Sequence, residues 1–208
     1  MTIRVSFYFL TDYRAGEPIG KLRSAQLSWL MDRLFPKKAA IEGAADRLYE
    51  GLVHAARSTW LFTEGGFEDS FSGRFNAIAL HGGLLLPELE RRGGRGPVLS
   101  RAVYTRIFDG LDAGLRETGV GDASIARKVR KFGESFFGLG NAIRDALAAS
   151  DSRTGIAAVL ERNEVAAADE ADKLADYVID FAQHLSSLSD ETLFDGDAGL
   201  VFMGKRAD

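Results

Sequence analysis

The sequence predicts an all-α protein, a single compact bundle of about six or seven helices with a poorly defined N-terminal arm and C-terminal tail. Three observations carry this. Apolar residues recur at spacings of three and four through most of the chain, the period of one helix face. Nothing after residue 20 alternates as a half-buried strand would. Only 4 prolines occur in 208 residues, which suits long uninterrupted helices.

Residues 1–20 carry a weak strand pattern in Ile3, Val5, Phe7 and Phe9, and Gly16-Glu17-Pro18 breaks it. Residues 21–35 read as a short helix with Leu22, Leu27, Leu30 and Leu34 apolar, stopped by Pro36. A strong helix follows over 39–62, with Ile41, Ala45, Leu48, Leu52 or Tyr49, and Ala55 on one face. After Gly65-Gly66 and a loop, Ser72 or Asp69 is placed to cap a helix over 73–92 with Phe75, Ile78, Leu85 and Leu89 inward.

Residues 93–97, Gly-Gly-Arg-Gly-Pro, form a clear break. The best-patterned helix spans 98–118, where Leu99, Val103, Ile107, Leu111 and Leu115 are each four apart. Gly119 supplies its stop and Asp122 an N-cap for the next helix, 123–149, which turns Ile125, Val129, Phe132, Phe136, Ile143 and Leu147 inward. A short helix over 154–162 and a long one over 165–188, with Leu174, Val178, Phe181 and Leu185, complete the pattern. The organisation expected is an arm with a short helix (1–35), a helical domain (36–190) and a tail (191–208) containing Gly196, Gly199 and Gly204. The 23 glycines are expected at helix junctions rather than inside helices.

Composition excludes several chemistries. With no cysteine there is no disulfide, thiolate metal site or cysteine nucleophile. A net charge of −4 argues against a nucleic-acid binder, so no specific nucleic acid is expected as partner. No apolar run approaches the ~18 residues that span a bilayer, and the first apolar stretch is shorter than a signal-peptide core, so a cytoplasmic protein is expected.

Catalytic motifs are scarce. His54, His81 and His184 fall on three different helices, without the paired spacing metal sites use. Asp109 and Asp112, with Asp169, Glu170, Asp172 and Asp176 as a second set, could hold Mg²⁺ in an all-α enzyme, but such pairs usually form a solvated face. Gly93-Gly94-Arg95-Gly96 lacks the Gly-Lys-Ser/Thr ending of a phosphate loop. No cofactor, no metal and no enzymatic activity are expected. The sharpest local feature is basic: Arg127, Lys128, Arg130 and Lys131 flank Val129, which turns to the core. Such a cluster attracts anionic lipid, an acidic protein segment or RNA, or is a solvated face balanced by Glu117, Asp122 and Glu134.

Two linked segments resemble the ubiquinol–cytochrome c chaperone family. One is Gly73-Arg74-Phe75 followed by His81. The other is Leu115-Arg116-Glu117-Thr118-Gly119-Val120-Gly121-Asp122, preceded by Asp112 and continuing through Arg127-Lys128-Val129-Arg130-Lys131-Phe132 to Phe136-Phe137-Gly138. The similarity covers roughly residues 40 to 150. The chain departs from the pattern at Leu139, where arginine is usual, and at Asn76, where an acidic residue is common.

The resemblance implies an all-α assembly chaperone that binds newly made cytochrome b and supports biogenesis of the ubiquinol–cytochrome c reductase complex. Mitochondrial members work with a small helical co-chaperone near the ribosome exit and the inner membrane. A bacterial relative would act in the cytoplasm or peripherally on the cytoplasmic face of that membrane. Partner-binding residues expected on this basis, and on the charge pattern, are Arg74, Phe75, His81, Asp112, Arg116, Glu117, Asp122, Arg127, Lys128, Arg130 and Lys131. The alternatives are a helical interaction module with another client, or a Mg²⁺-dependent all-α enzyme.

Overall fold

Pro36 opens a helix instead of only closing one. Its missing N–H is no loss in a first turn, where that donor has no intrahelical partner, and α1 runs Pro36–Ala55. A computed structural model describes residues 36–119, 121–197 and 201–202; Pro36, Lys37, Asp122 and Ala123 are described by their backbone alone. The arm and helix expected over 1–35 lie outside the described residues.

The helix expected over 39–62 is divided. Arg57 and Ser58 donate to the carbonyls of His54 and Ala55 in a tight turn, and a short helix α2, Thr59–Thr63, follows. The turn carries Trp60 to 5.5 Å from Tyr177 and encloses Leu61 fully. Tertiary burial of these two side chains outweighs the local tendency to continue the helix.

Helix α3 spans Phe71–Arg91. Its cap is Ser70, not Ser72 or Asp69: the Ser70 hydroxyl accepts from the Gly73 N–H at 3.1 Å. Helix α4, Gly96–Glu117, carries Pro97 in its first turn and buries the whole stripe of residues spaced four apart from Leu99 to Leu115. Gly119 adopts a φ of +76°, the left-handed value that a helix stop favours. Helix α5 is Asp122–Leu147 with Gly121 in the cap position, so Asp122 begins the helix and does not cap it. Asp151 caps α6, Ser152–Arg162, by accepting from the Thr154 N–H. Helix α7 is Ala168–Ser187, and Ser189 caps the short α8, Asp190–Asp195, through the Thr192 N–H.

Among the described residues there are thus six helices of eleven residues or more, two short ones and no strand. Helix α3 is the central element, touching α1, α4, α5 and α7; α6 bridges α5 to α7, and α8 lies against α1. The 93–95 linker folds α4 back along α3, so the Phe71 ring at the start of α3 reaches Gly114 near the end of α4.

Helix α5 runs beside α3 in the same direction. Phe75 meets Phe132, their rings 4.6 Å apart, and eight residues further along each helix Gly83 meets Gly140. A Cβ on Gly140 would sit 3.1 Å from the Gly83 Cα. The two backbones touch, and this corrects the expectation that glycines belong at junctions. Gly82, which would place a Cβ 3.0 Å from the Phe136 ring, serves the same crossing.

Ion pairs tie neighbours at the rim. Arg106 on α4 reaches Glu42 at 2.8 Å and also Asp46 on α1, and Arg153 on α6 reaches Asp172 at 3.0 Å and Asp176 at 2.7 Å on α7. Arg92, 13% exposed, bonds Glu88 and Asp190 and donates to the carbonyls of Leu185 and Ser186 at the end of α7. It meets two of the last four carbonyls of that helix, Ser186 and, alongside the Leu188 N–H, Leu185. The segment read as a tail is held at its start: Leu193 and Val201 are fully enclosed and Phe202 stacks on Phe181 at 5.9 Å.

Candidate partner-binding surface

The start of α3, the end of α4 and the start of α5 meet at one end of the bundle. Phe71 fixes the meeting point, lying on Gly114 of α4 and 5.7 Å from the Phe132 ring of α5. Most of the residues expected to bind a partner sit on these three segments.

Arg74 is exposed in the first turn of α3 and paired to Asp69 at 2.7 Å, which raises its pKa and lowers that of the Asp69 carboxyl. Asp112 and Arg116 pair at 2.8 Å one turn apart on α4, and Glu117 is exposed as its last residue. Asp122 starts α5, but its side chain lies outside the described residues. Arg127, Lys128, Arg130 and Lys131 are exposed on α5 while Val129 is buried, as the helical period requires. Arg130 stands 3.7 Å from Glu134.

Two expected site residues are interior. Phe75 is 4% exposed and packs under Phe132, and His81 is 0% exposed. Neither can touch a partner while the bundle is folded. The reason is register: Phe75 falls on the inward stripe that the periodicity predicts, and His81 on the inner face of the same helix, which the family motif alone does not reveal.

The His81 ring is fully bonded. Its Nδ1 lies 2.7 Å from the Ala77 carbonyl, an acceptor only, so Nδ1 carries the proton. Nε2 then accepts from the Tyr177 hydroxyl at 2.6 Å. Burial pushes the imidazole down to about 4, against the raising effect of the Ala77 bond, and pushes the Tyr177 phenol up to about 12. Both side chains are neutral near pH 7. This pair joins α3 to α7 and was not visible in the sequence, since Tyr177 is 96 residues away.

The acidic residues do not gather. Asp172 and Asp176 are held by Arg153, and burial, with the Asp112 charge opposing the help of Arg106, raises the Asp109 carboxyl. Among the described residues no group of three or more His, Asp or Glu could hold a metal. A shallow cleft of about 630 Å³ opens between the end of α1, the turn into α2 and Phe202, with Tyr49, His54 and Arg57 on its walls. It contains none of the expected residues. No helix among those described is long and apolar enough to cross a membrane.

Taken together, the fold and this surface define an all-α scaffold whose polar groups are spent on helix-to-helix ties and on an exposed charged end. Residues 63–202 match the model of the ubiquinol-cytochrome C chaperone family, and the chain belongs to that family. It is also similar to a solved structure, the crystal structure of the Cbp3 homolog from Brucella abortus: 29% identity, a TM-score of 0.71, and coverage of 81% of this chain and 94% of that one. Nothing among the curated proteins matches it. The role that family and fold support is that of a ubiquinol–cytochrome c chaperone.

Proposed function

We propose that the protein binds newly made cytochrome b and supports assembly of the ubiquinol–cytochrome c reductase complex without catalysing a reaction. The observation that carries this is the family match over 63–202, which spans every helix that contributes to the charged end of the bundle. Cytochrome b is a multi-helix membrane protein, and its unassembled segments need protection from misassociation. A rigid scaffold suits that task, because contact with a preformed surface orders the client alone. Arg74, Asp112, Arg116 and Glu117 are the residues we assign to client contact. The setting is the cytoplasm or the cytoplasmic membrane face, with a small helical co-chaperone as a candidate second partner.

The test is a tagged pulldown from host membranes solubilised in mild detergent, read by mass spectrometry. Enrichment of cytochrome b over other membrane proteins supports the reading. A folded, abundant bait that captures a different client, or none, would leave the chaperone family assignment standing and remove cytochrome b as the client.

A further inference from the structure

The cation cluster on α5 is not explained by the stability of the helix that bears it. Arg127 and Lys131 are four residues apart, Arg127 and Arg130 three, and Lys128 and Lys131 three, so each pair of like charges shares a face. Such pairs weaken a helix by the amounts that opposite pairs strengthen it. The compensation is small: a single long contact, Arg130 to Glu134 at 3.7 Å, with both side chains well exposed. No ion pair holds Arg127, Lys128 or Lys131 among the described residues. A chain of net charge −4 thus concentrates four cations within five residues, on the side of α5 opposite Ile125, Val129 and Phe136.

An apolar group stands at the edge of this face. Lys128 lies one turn before Phe132 on the same side of α5, and the Phe71 ring rests on Phe132 at 5.7 Å. Phe71 is 38% exposed, one of two large hydrophobic residues left in solvent among those described. Its inner side is covered by Phe132 and Gly114, so the ring is held in place with its outer side free.

We propose that this face, Arg127, Lys128, Arg130 and Lys131 with Phe71 at its edge, docks the protein on an anionic lipid surface. The geometry favours lipid over an acidic polypeptide. The cations stand on the outer arc of one helix, Arg127 and Lys131 at its centre and Lys128 and Arg130 on its two flanks, where long side chains can bend toward one flat field of phosphate groups. Long basic side chains flanking an exposed aromatic ring match the headgroup layer and the boundary beneath it. Each cation brought to such a surface strengthens partitioning roughly fivefold. Cation-driven docking is weakened by salt, because exposed charges are screened. The inference goes beyond the client reading, and its first readout, vesicle binding, needs no client.

The experiment is co-sedimentation of the purified full chain with two sets of vesicles, phosphatidylcholine alone and phosphatidylcholine containing about 30% phosphatidylserine. Binding is expected on the second set only, and it should fall as salt is raised. The triple variant Arg127→Glu/Lys128→Glu/Lys131→Glu leaves the Arg130–Glu134 contact in place and should lose at least about a hundredfold in partitioning. Phe71→Ser should lose a few-fold at unchanged salt dependence. Circular dichroism and the thermal midpoint of each variant establish that it is folded. Equal binding to both vesicle sets, or an unaltered affinity in the folded triple variant, would overturn the proposal. So would a triple variant that keeps its vesicle binding and loses client capture from detergent solution, which would assign the face to protein contact. Loss of vesicle binding with client capture intact supports it.

Discussion

Gly83 of α3 and Gly140 of α5 meet backbone to backbone, so that a Cβ on Gly83 would lie 2.9 Å from the Gly140 Cα. Two helices can approach this closely only where both lack a side chain. Pro87 adds to the local demand, because it has no N–H to bond the Gly83 carbonyl one turn earlier. Gly83→Ala or Gly140→Ala should therefore destabilise the protein by about 1–3 kcal/mol, although alanine is the better helix former by nearly 1 kcal/mol. Gly138 is the control. It lies two residues away in the same helix, exposed, with nothing within 4 Å of its would-be Cβ. Gly138→Ala should stabilise by about 0.5–1 kcal/mol. Urea midpoints of the three variants measure both signs; stabilisation by Gly83→Ala would refute the close crossing.

His81 makes stability depend on pH. Its folded pKa, about 4, lies below the ordinary histidine value of 6.5, so the unfolded chain binds the proton first. The contribution is complete above about pH 6.5 and is lost as pH falls toward 4, up to an order of 3 kcal/mol. His81→Gln keeps a donor and an acceptor but does not titrate. Urea unfolding at about pH 7 and about pH 5 should show a smaller loss in the variant than in the parent chain. Equal losses would place the pH dependence elsewhere.

Tyr177→Phe tests the same contact from the other side. It removes the only hydrogen-bond donor seen at His81 Nε2 among the described residues and leaves that buried nitrogen without a partner. A loss of about 1–3 kcal/mol is expected, with the fold retained. A change within a few tenths of a kcal/mol would mean that water or a shift of the ring replaces the bond.

Arg92 holds the end of α7 to the end of α3 through two carboxylates and two carbonyls. Arg92→Ala should cost about 2 kcal/mol, since the side chain is mostly enclosed and its loss removes the tie to Asp190 and the donor at the Ser186 carbonyl, although Glu88 keeps Arg91. Arg74→Ala, whose pair with Asp69 is fully exposed, should be nearly silent in thermal unfolding. Equal losses in the two would mean that exposure does not rank these ion pairs.

Phe75→Ala should cost about 3–5 kcal/mol, because it empties a buried ring position against Phe132. Weakened client capture by this variant would then follow from unfolding. A folded Phe75→Ala protein of unchanged midpoint would contradict the burial.

Much of the fold was legible because it is written in short-range spacing. The stripe from Leu99 to Leu115 lies four residues apart and is buried along its length, and Gly119 stops the helix where the sequence places the stop. The basic residues around Val129 were also legible, since a buried valine fixes the direction of its neighbours. What was not legible depends on partners distant in sequence. The turn at 56–58 exists because Trp60 and Leu61 have places to fill on other helices. The mid-helix glycines are used by helices that cross, and a crossing leaves no local signature. The sequence allows His81 as an interior histidine with one hydrogen-bond partner, while the family motif puts it at a partner surface; neither reading identifies Tyr177. The choice of Ser70 over Ser72 as cap is a matter of which hydroxyl meets the Gly73 N–H, a difference of two residues that propensity does not resolve.

The family match begins at residue 63, yet α1 lies earlier, with Leu48 and Leu52 fully enclosed and Arg106 and Gly110 of α4 covered by Glu42, Asp46 and Tyr49. The family model therefore spans less of the chain than the packed core does, while the Brucella abortus structure, covering 81% of this chain, reaches further than the model. A piece cut at residue 63 would keep the family's signature and lose the helix that covers one flank of α4, presenting to solvent an apolar strip of the kind a chaperone exists to shield.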